Sequence, residues 1–215
     1  MMPTIRELFE KYRLCAILRN VPDSQVLNYA EAAYAGGIRL FEVAMNTETG
    51  ERQIRQLRDA FAGGEVYVGA GTVIDKNRCQ RAADAGAQFF LTPSAARSIM
   101  EYCRETGMPI LPGVFTATDV GTCLEYGYDT MKLFPAGNMP LGYIKSLKGP
   151  FHGTDYVAVG GVGLENLKDF LAAGYIGAGI GSNLIPKAMI AEGKWKDAEE
   201  RVRAFVREAG LRETV

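Results

Sequence analysis

The chain has 215 residues, a length at which single α/β barrels are common and which predicts one domain. Its 24 Lys and Arg residues nearly balance 25 Asp and Glu residues, and this balance excludes a general attraction to nucleic acid or to an anionic membrane. Any anionic ligand must therefore be held by local groups.

Eight short runs of apolar and β-branched residues alternate with segments of helical periodicity. The predicted strands are 14–18, 40–44, 66–70, 89–92, 110–114, 130–134, 156–159 and 176–180. The predicted helices are 24–34, 48–61, 75–85, 95–106, 117–126, 164–173 and 194–207. Strict alternation implies parallel strands joined by right-handed crossovers. Eight such repeats predict a closed (β/α)8 TIM barrel of class α/β, formed as a single domain by residues 1–215.

Glycines and polar residues mark the joints of this predicted barrel. Glycine stands where four predicted helices end, at Gly36–Gly37, Gly86, Gly127 and Gly174, as is usual at helix C-termini. Unusual residues stand at the carboxyl ends of the strands: Arg19, Gly71, Thr72, Pro93, Ser94, Gly160, Gly161, Gly181 and Ser182. Barrel enzymes place their active sites at that end of the strands, so we expect these residues to converge there.

Two charged residues interrupt strands that otherwise read as buried. Glu42 lies in the run 40–45 and Lys132 in the run 130–135. Strand alternation directs both side chains towards the barrel axis, with Phe41 and Val43 on the opposite face. Burial lowers the pKa of a lysine, and an unprotonated amine is a nucleophile. The pair therefore predicts a Schiff-base site in which Lys132 attacks a ketone and Glu42 transfers protons. The alternative is a structural salt bridge, although buried pairs are a weak source of stability.

A second pattern predicts phosphate binding. Gly160–Gly161 and Gly181–Ser182 follow the last two predicted strands, the barrel position that often holds a phosphate through backbone N–H groups. Tight turns are the alternative interpretation. The stretch 177–182 superficially resembles a dinucleotide fingerprint but lacks the βαβ unit and the acidic residue that such a site requires.

Four further side chains are candidates for substrate binding. Arg19 could clamp a phosphate or a carboxylate, and the hydroxyl of Thr72 follows the small residues Gly69–Gly71 that would admit a ligand. Pro93 and Phe134 could shape the walls of the site. Each also has a simpler interpretation as a rim, turn or packing residue.

Other features point away from secretion, membranes and metals. The N-terminal segment 1–7 is charged where a signal peptide needs an apolar core, and no apolar run could span a bilayer. The four cysteines, Cys15, Cys79, Cys103 and Cys123, are widely spaced and form no CxxC pair, which indicates reduced thiols. We therefore expect a cytoplasmic protein without a membrane partner. The one histidine, His152, gives poor support for a metal site.

Six landmarks along nearly the whole chain resemble the class I 2-keto-3-deoxy-6-phosphogluconate and 2-keto-3-deoxy-6-phosphogalactonate (KDPG/KHG) aldolase family. They are 16–19, 42–43, 69–73, 132–135, 160–162 and 179–182. The resemblance implies that Lys132 forms the Schiff base, that Glu42 shuttles protons and that Arg19 binds substrate. It further implies that Thr72 and Pro93 shape the pyruvoyl end, and that Gly160, Gly161, Gly181 and Ser182 hold the phosphate.

The same resemblance implies the reaction and the assembly. A phosphorylated 2-keto-3-deoxy sugar acid would be cleaved reversibly to pyruvate and glyceraldehyde 3-phosphate, with no metal or organic cofactor. The implied assembly is a homotrimer.

Two positions depart from the gluconate-type members of the family. Those members often carry arginine four residues after the glutamate and threonine just before the double glycine, where this chain has Asn46 and Val159. The departure favours the galactonate substrate slightly and predicts relaxed specificity at C4.

Three other functions remain open from the sequence. The chain could act on 4-hydroxy-2-oxoglutarate, it could be a phosphosugar isomerase or epimerase that needs no essential lysine, or it could be a non-catalytic sugar-phosphate-binding barrel.

Overall fold

The computed structural model describes residues 2–211. Its strands are β1 (Leu14–Leu18), β2 (Leu40–Ala44), β3 (Tyr67–Gly71), β4 (Phe90–Leu91), β5 (Ile110–Leu111), β6 (Gly113–Val114), β7 (Thr130–Leu133), β8 (Asp155–Val159) and β9 (Gly177–Ile180). Its α-helices are α1 (Ile5–Tyr12), α2 (Val26–Ala35), α3 (Gly50–Ala60), α4 (Lys76–Asp84), α5 (Arg97–Thr106), α6 (Ala117–Glu125), α7 (Tyr143–Lys148), α8 (Leu167–Ala172), α9 (Lys187–Glu192) and α10 (Trp195–Glu208).

The strands form one sheet in the order β5-β4-β3-β2-β1-β9-β8-β7-β6, and every pairing is parallel. The two ends of this order, β5 and β6, are the halves of one predicted strand, so the sheet curls round to its own start. The predicted (β/α)8 barrel is therefore confirmed.

The predicted fifth strand is broken at Pro112, which has no N–H to donate to a neighbouring strand. Its first half pairs with β4 and its second half pairs with β7. The backbone N–H of Lys132 donates to the Pro112 carbonyl at 2.9 Å. Across the break, the hydroxyl of Thr92 accepts from the N–H of Gly113 at 3.3 Å. These contacts keep Lys132 in register although the strand before it is interrupted.

Two hydrophobic clusters separate the inside of the barrel from its outside. The inner cluster contains Cys15, Ile17, Leu40, Val157 and Val159. The outer cluster, which packs the strands against the helices, contains the residues that alternate with them, among them Ala16, Phe41, Val43, Met131 and Leu133. The predicted orientation of the second and sixth strands is thus confirmed, because Glu42 and Lys132 have the same parity as the inner residues.

Three helices were not predicted from the sequence: α1, α7 and α9. The last two have six residues each, too few for a clear helical period. Helix α1 begins with a capping box in which Thr4 and Glu7 bond reciprocally, a motif that the sequence displays as Thr-x-x-Glu. Its side chains Ile5, Leu8 and Phe9 belong to the inner cluster, so α1 closes the amino-terminal end of the barrel.

The predicted glycine joints are confirmed by backbone geometry. Gly37, Gly86, Gly127 and Gly174 all have positive φ, the left-handed conformation that residues with a Cβ rarely adopt. Among residues 2–211, no helix combines the length and the apolar character needed to cross a membrane. In the same part of the chain, no three His, Cys, Asp or Glu side chains are grouped as potential metal ligands.

Candidate active site

Glu42 lies inside the barrel and is only 3% exposed. It sits in the middle of β2, where it pairs with Ile17 of β1 and with Gly69 of β3. A Cβ built on Gly71 would overlap the Oε1 atom of Glu42. The missing side chain at Gly71 is therefore what gives the Glu42 carboxylate its place.

Lys132 lies on β7, is 7% exposed and pairs with Gly113 and Val157. Around the closed barrel, with β5 and β6 counted as one strand, β2 and β7 are four strands apart in either direction. The two charged side chains therefore extend towards the axis from opposite walls. Within the described residues, neither the carboxylate nor the amine makes a hydrogen bond or ion pair with another side chain.

Burial shifts the ionisation of both groups towards neutral pH. It raises the pKa of Glu42 to about 7, a rise that the positive charges of Lys132 and Arg19 oppose. It lowers the pKa of Lys132 to about 8; the charge of Glu42 opposes this fall and the charge of Arg19 adds to it. Near neutral pH a larger fraction of Lys132 is therefore neutral than of an ordinary lysine, whose pKa is about 10.4. The site thus contains a nucleophilic amine and a carboxyl group able to take and give protons.

A cleft of about 270 Å³ opens at the carboxyl ends of β1, β7, β8 and β9. Six of the predicted site residues line it: Arg19, Phe134, Gly160, Gly161, Gly181 and Ser182. Phe134 connects the cleft to Lys132, because its ring centroid lies 5.2 Å from the Nζ atom of that residue. The cleft lining in the described chain includes the cations Arg19 and Lys187 and no carboxylate, so the cleft suits an anion.

The two glycine loops also offer backbone donors. In the described part of the chain, the N–H groups of Gly161, Val162 and Ser182 donate to no other protein group. Gly160 and Gly161 have φ values of +86° and +77°, a conformation that glycine adopts without strain. Unpaired N–H groups on neighbouring loops are the kind of donor set that binds phosphate.

Thr72 and Pro93 lie outside the cleft lining, at the ends of β3 and β4. Thr72 has φ +55°, a left-handed conformation that is costly for a β-branched residue. It directly follows Gly71, which contacts Glu42. The backbone of Pro93 packs against Gly113, the strand partner of Lys132. Thr72 thus lies beside the strand position that contacts Glu42, and Pro93 lies beside the strand partner of Lys132. Neither residue lines the cleft that suits an anion.

Sequence reasoning missed several cleft residues. Asn20, Asn183 and Lys187 all line the cleft. Asn20 and Asn183 each follow a predicted site residue, Arg19 and Ser182, so reading one position further at each strand end would have found them. Lys187 stands at the start of the six-residue helix α9, which the sequence pattern did not reveal.

A family model described as KDPG and KHG aldolase matches residues 5–201. The 2-dehydro-3-deoxy-phosphogluconate aldolase of Pseudomonas aeruginosa is 31% identical over 201 residues, which cover 93% of this chain and 90% of that protein. The 2-dehydro-3-deoxy-6-phosphogalactonate aldolase of Escherichia coli is 34% identical over 196 residues, covering 91% of this chain and 95% of that protein.

Solved structures agree with these relatives. The KDPG aldolase of Legionella pneumophila, captured with pyruvate as a covalent carbinolamine intermediate, superposes with a TM-score of 0.84 at 26% identity and covers 93% of this chain and 97% of that one. A protein cage designed by fusing symmetric oligomeric domains superposes with a TM-score of 0.83 at 31% identity. That match covers 92% of this chain and 72% of the cage chain.

Proposed function

The chain belongs to the KDPG and KHG aldolase family and is therefore an aldolase, and we propose that it uses Lys132 and Glu42 to cleave a 2-keto-3-deoxy-6-phospho sugar acid. The products are pyruvate and glyceraldehyde 3-phosphate, and the reaction is reversible. The observation that carries this proposal is the buried pair itself, two unlike charges on opposite walls of the barrel whose pKa values are both shifted towards neutrality.

The reaction begins when the neutral amine of Lys132 attacks the C2 ketone. Loss of water from the carbinolamine gives an iminium ion, which draws electrons from the neighbouring C3–C4 bond. Glu42 takes the proton of the C4 hydroxyl, the C3–C4 bond breaks, and the aldehyde leaves as glyceraldehyde 3-phosphate. The electron pair of that bond remains as an enamine. Glu42 returns a proton to C3, and hydrolysis of the iminium releases pyruvate and regenerates Lys132.

The cleft binds the phosphate end of the substrate. Its two cations, Arg19 and Lys187, attract the substrate, and the unpaired N–H groups of the glycine loops bind the phosphate oxygens. The pyruvoyl end lies against Thr72 and Pro93, beside the reactive pair. This arrangement separates the two ends of a six-carbon substrate.

The sugar acid that we favour is the galactonate epimer, with relaxed specificity at C4. Val159 lines the cleft and Asn46 is exposed after β2, and these are the two positions that depart from the gluconate-type pattern. Comparison of kcat/KM for the two C4 epimers tests this choice. A large preference for the gluconate epimer would show it to be wrong.

Trapping with pyruvate and borohydride is the first test of the mechanism. Reduction fixes any imine as a stable adduct, and peptide mass spectrometry then locates it. We expect an adduct on Lys132 and none in Lys132→Arg, whose guanidinium cannot form the imine. Absence of an adduct in the folded wild-type protein would favour an isomerase, an epimerase or a non-catalytic binding barrel instead.

An adduct on Lys132 would leave the aldehyde partner to be identified. The alternative substrate 4-hydroxy-2-oxoglutarate carries no phosphate. Comparison of its kcat/KM with that of the phosphorylated sugar acid tests which of the two aldolase activities the protein has. We expect the phosphorylated sugar acid to give the higher kcat/KM because the cations and N–H donors of the cleft would have no phosphate to bind in the smaller substrate.

The proposed assembly is a homotrimer in the cytoplasm. The similarity to a cage made from symmetric oligomeric domains supports an oligomer, and four free buried cysteines are usual in a reducing compartment. Size-exclusion chromatography with light scattering tests the assembly. A mass other than three times that of the chain would contradict the trimer.

A further inference from the structure

One side-chain amide connects the two glycine loops of the cleft. Asn183 follows Ser182 on the loop after β9, and its Nδ2 donates to the carbonyl of Val162, after β8, at 2.9 Å. The main chain of Asn183 is fixed in turn by Arg201 of α10. The guanidinium of Arg201 donates to the Asn183 carbonyl at 2.9 and 3.1 Å and to the Leu184 carbonyl at 3.2 Å.

Three successive carbonyls of the β8 loop are engaged in this way. The Gly160 carbonyl accepts from the N–H of Gly137 at 2.8 Å, and the Gly161 carbonyl accepts from Nδ2 of Asn166 at 2.9 Å. The Val162 carbonyl accepts from Asn183. In a trans peptide the N–H points opposite to the C=O. Fixing the Gly160 and Gly161 carbonyls therefore also fixes the unpaired N–H groups of Gly161 and Val162.

The contact made by Asn183 differs from the other two because it joins two loops that both line the cleft. Gly137 and Asn166 bond to the β8 loop alone, whereas the Asn183 amide bonds this loop to the one that carries Ser182. Donors on two loops bind one phosphate well only if their spacing matches the oxygen positions, and a small misplacement is costly.

We propose that Asn183 is a positioning residue that fixes the spacing of the two glycine loops and thereby makes the site selective for phosphorylated substrates. This inference rests on the proposed function and goes beyond it, since it assigns the selectivity to a residue outside the reactive pair. Asn183 acts here through the loop donors, and Arg201 supports it from the outer ring of helices.

The test compares Asn183→Ala and Asn183→Asp with wild type and with the control Asn77→Ala. Asn77 is exposed on α4, away from the cleft. Three quantities are measured for each protein: KM for the phosphorylated sugar acid, the inhibition constant of inorganic phosphate, and the pyruvate concentration that half-saturates borohydride trapping. Pyruvate has no phosphate and reports only the imine end of the site.

We expect KM and the phosphate inhibition constant to rise about tenfold in Asn183→Ala, the loss that one net hydrogen bond represents. The rise should be larger in Asn183→Asp, because a carboxylate cannot donate to Val162 and repels the phosphate. Half-saturation by pyruvate should stay within about twofold of wild type. Asn77→Ala should match wild type in all three.

Two results would overturn the inference. One is an unchanged phosphate inhibition constant in Asn183→Ala, whatever the result for Asn183→Asp, because the carboxylate of the second variant repels phosphate directly. The other is a rise that pyruvate shares by the same factor, because a merely structural role would affect both ends of the site. Failure of wild type to trap pyruvate is a separate outcome, which would overturn the proposed function and this inference with it.

Discussion

Burial is the main cause of both pKa shifts, and each of the two buried charges opposes the shift of the other. The positive charge of Lys132 holds the pKa of Glu42 below the value that burial alone would produce, and the negative charge of Glu42 does the reverse for Lys132. Arg19 lowers the pKa of both groups. A change at one residue is therefore expected to appear in the titration of the other.

Removal of the Glu42 charge should lower the pKa of Lys132 further. In Glu42→Gln, burial still disfavours the ammonium form, and the carboxylate that favoured it is gone. The neutral amine exists above the pKa, so the rate of imine formation with pyruvate should rise through about pH 8 in wild type and through a lower pH in the variant. Borohydride trapping between about pH 6 and 9.5 measures both profiles.

Turnover separates the two roles of the pair. Glu42→Gln should keep the pyruvate adduct and lose about 10²- to 10⁴-fold in kcat, the usual contribution of a general acid and base. Glu31→Gln, on the exposed face of α2, is the matched control. A pH midpoint that stays in place or moves upwards, or a kcat near wild type, would contradict the assigned role of Glu42.

Lys187 should contribute charge to phosphate binding. Lys187→Gln is expected to raise KM for the phosphorylated substrate about three- to tenfold and to reduce the dependence of KM on salt, since an exposed charge is screened. Lys168→Gln removes an exposed lysine from α8 and serves as control. Equal effects of the two substitutions would show that Lys187 acts only through net charge.

Among the elements, strands β2 and β3 form the part of the barrel wall that places the carboxylate. Gly69 pairs with Glu42, and its lack of a side chain leaves room for the ring of Phe89. Gly71 leaves room for the side chain of Glu42 itself. The same sheet carries Pro112 on its far side, where the strand break is spanned by Thr92 and by the N–H of Lys132. Glycines therefore lie beside Glu42, and a strand break lies beside Lys132.

A methyl group at Gly71 should displace the Glu42 carboxylate. Gly71→Ala is expected to lower kcat at least about hundredfold, because a shift of about 1 Å in a reacting group has that effect, while borohydride still traps pyruvate on Lys132. Steady-state kinetics together with the trapping assay measure this. Unchanged kcat would show that the carboxylate has another productive position.

Gly121→Ala provides the control for the same substitution. Gly121 lies within α6, and a Cβ there meets no atom within 4 Å. We expect Gly121→Ala to have the same kcat as wild type. Its free energy of unfolding should be higher by about 0.5–1 kcal/mol, because alanine stabilises a helix more than glycine does. Urea denaturation measures the stability of both variants.

The molecule as a whole depends on α1, which closes the amino-terminal end of the barrel. Ile5, Leu8 and Phe9 fill that end, and Arg6 joins the helix to the starts of β7 and β8 through Asp129 at 3.3 Å and Asp155 at 3.1 Å. Apolar side chains therefore fill the amino-terminal end of the barrel interior.

Truncation of an apolar side chain of α1 that fills the end of the barrel should destabilise the whole barrel. Leu8 is 1% exposed, so Leu8→Ala is expected to lower the free energy of unfolding by about 2–5 kcal/mol. Leu27→Ala, at a position on α2 that is 37% exposed, should cost less than about 1 kcal/mol. Similar losses in the two variants would contradict the sealing role of α1.

Much of the barrel could be predicted from the sequence because local patterns encode it. Buried parallel strands read as apolar runs, helices as three- and four-residue periods, and their joints as glycines. Glu42 and Lys132 stand out because a charge inside an apolar run is costly wherever the strand lies. The other site residues stand at the carboxyl ends of the predicted strands, and the resemblance to the aldolase family gave most of them specific roles.

Contacts between residues far apart in the chain required the tertiary structure. Strand parity turns Lys132 inwards, but only the order of the strands puts it opposite Glu42, and the break at Pro112 divides a strand that reads as continuous. The sealing by α1, the cleft position of Lys187 and the bond from Asn183 to Val162 join residues far apart in the chain. A one-dimensional pattern fixes which face a side chain takes, whereas three-dimensional packing determines which residue it meets.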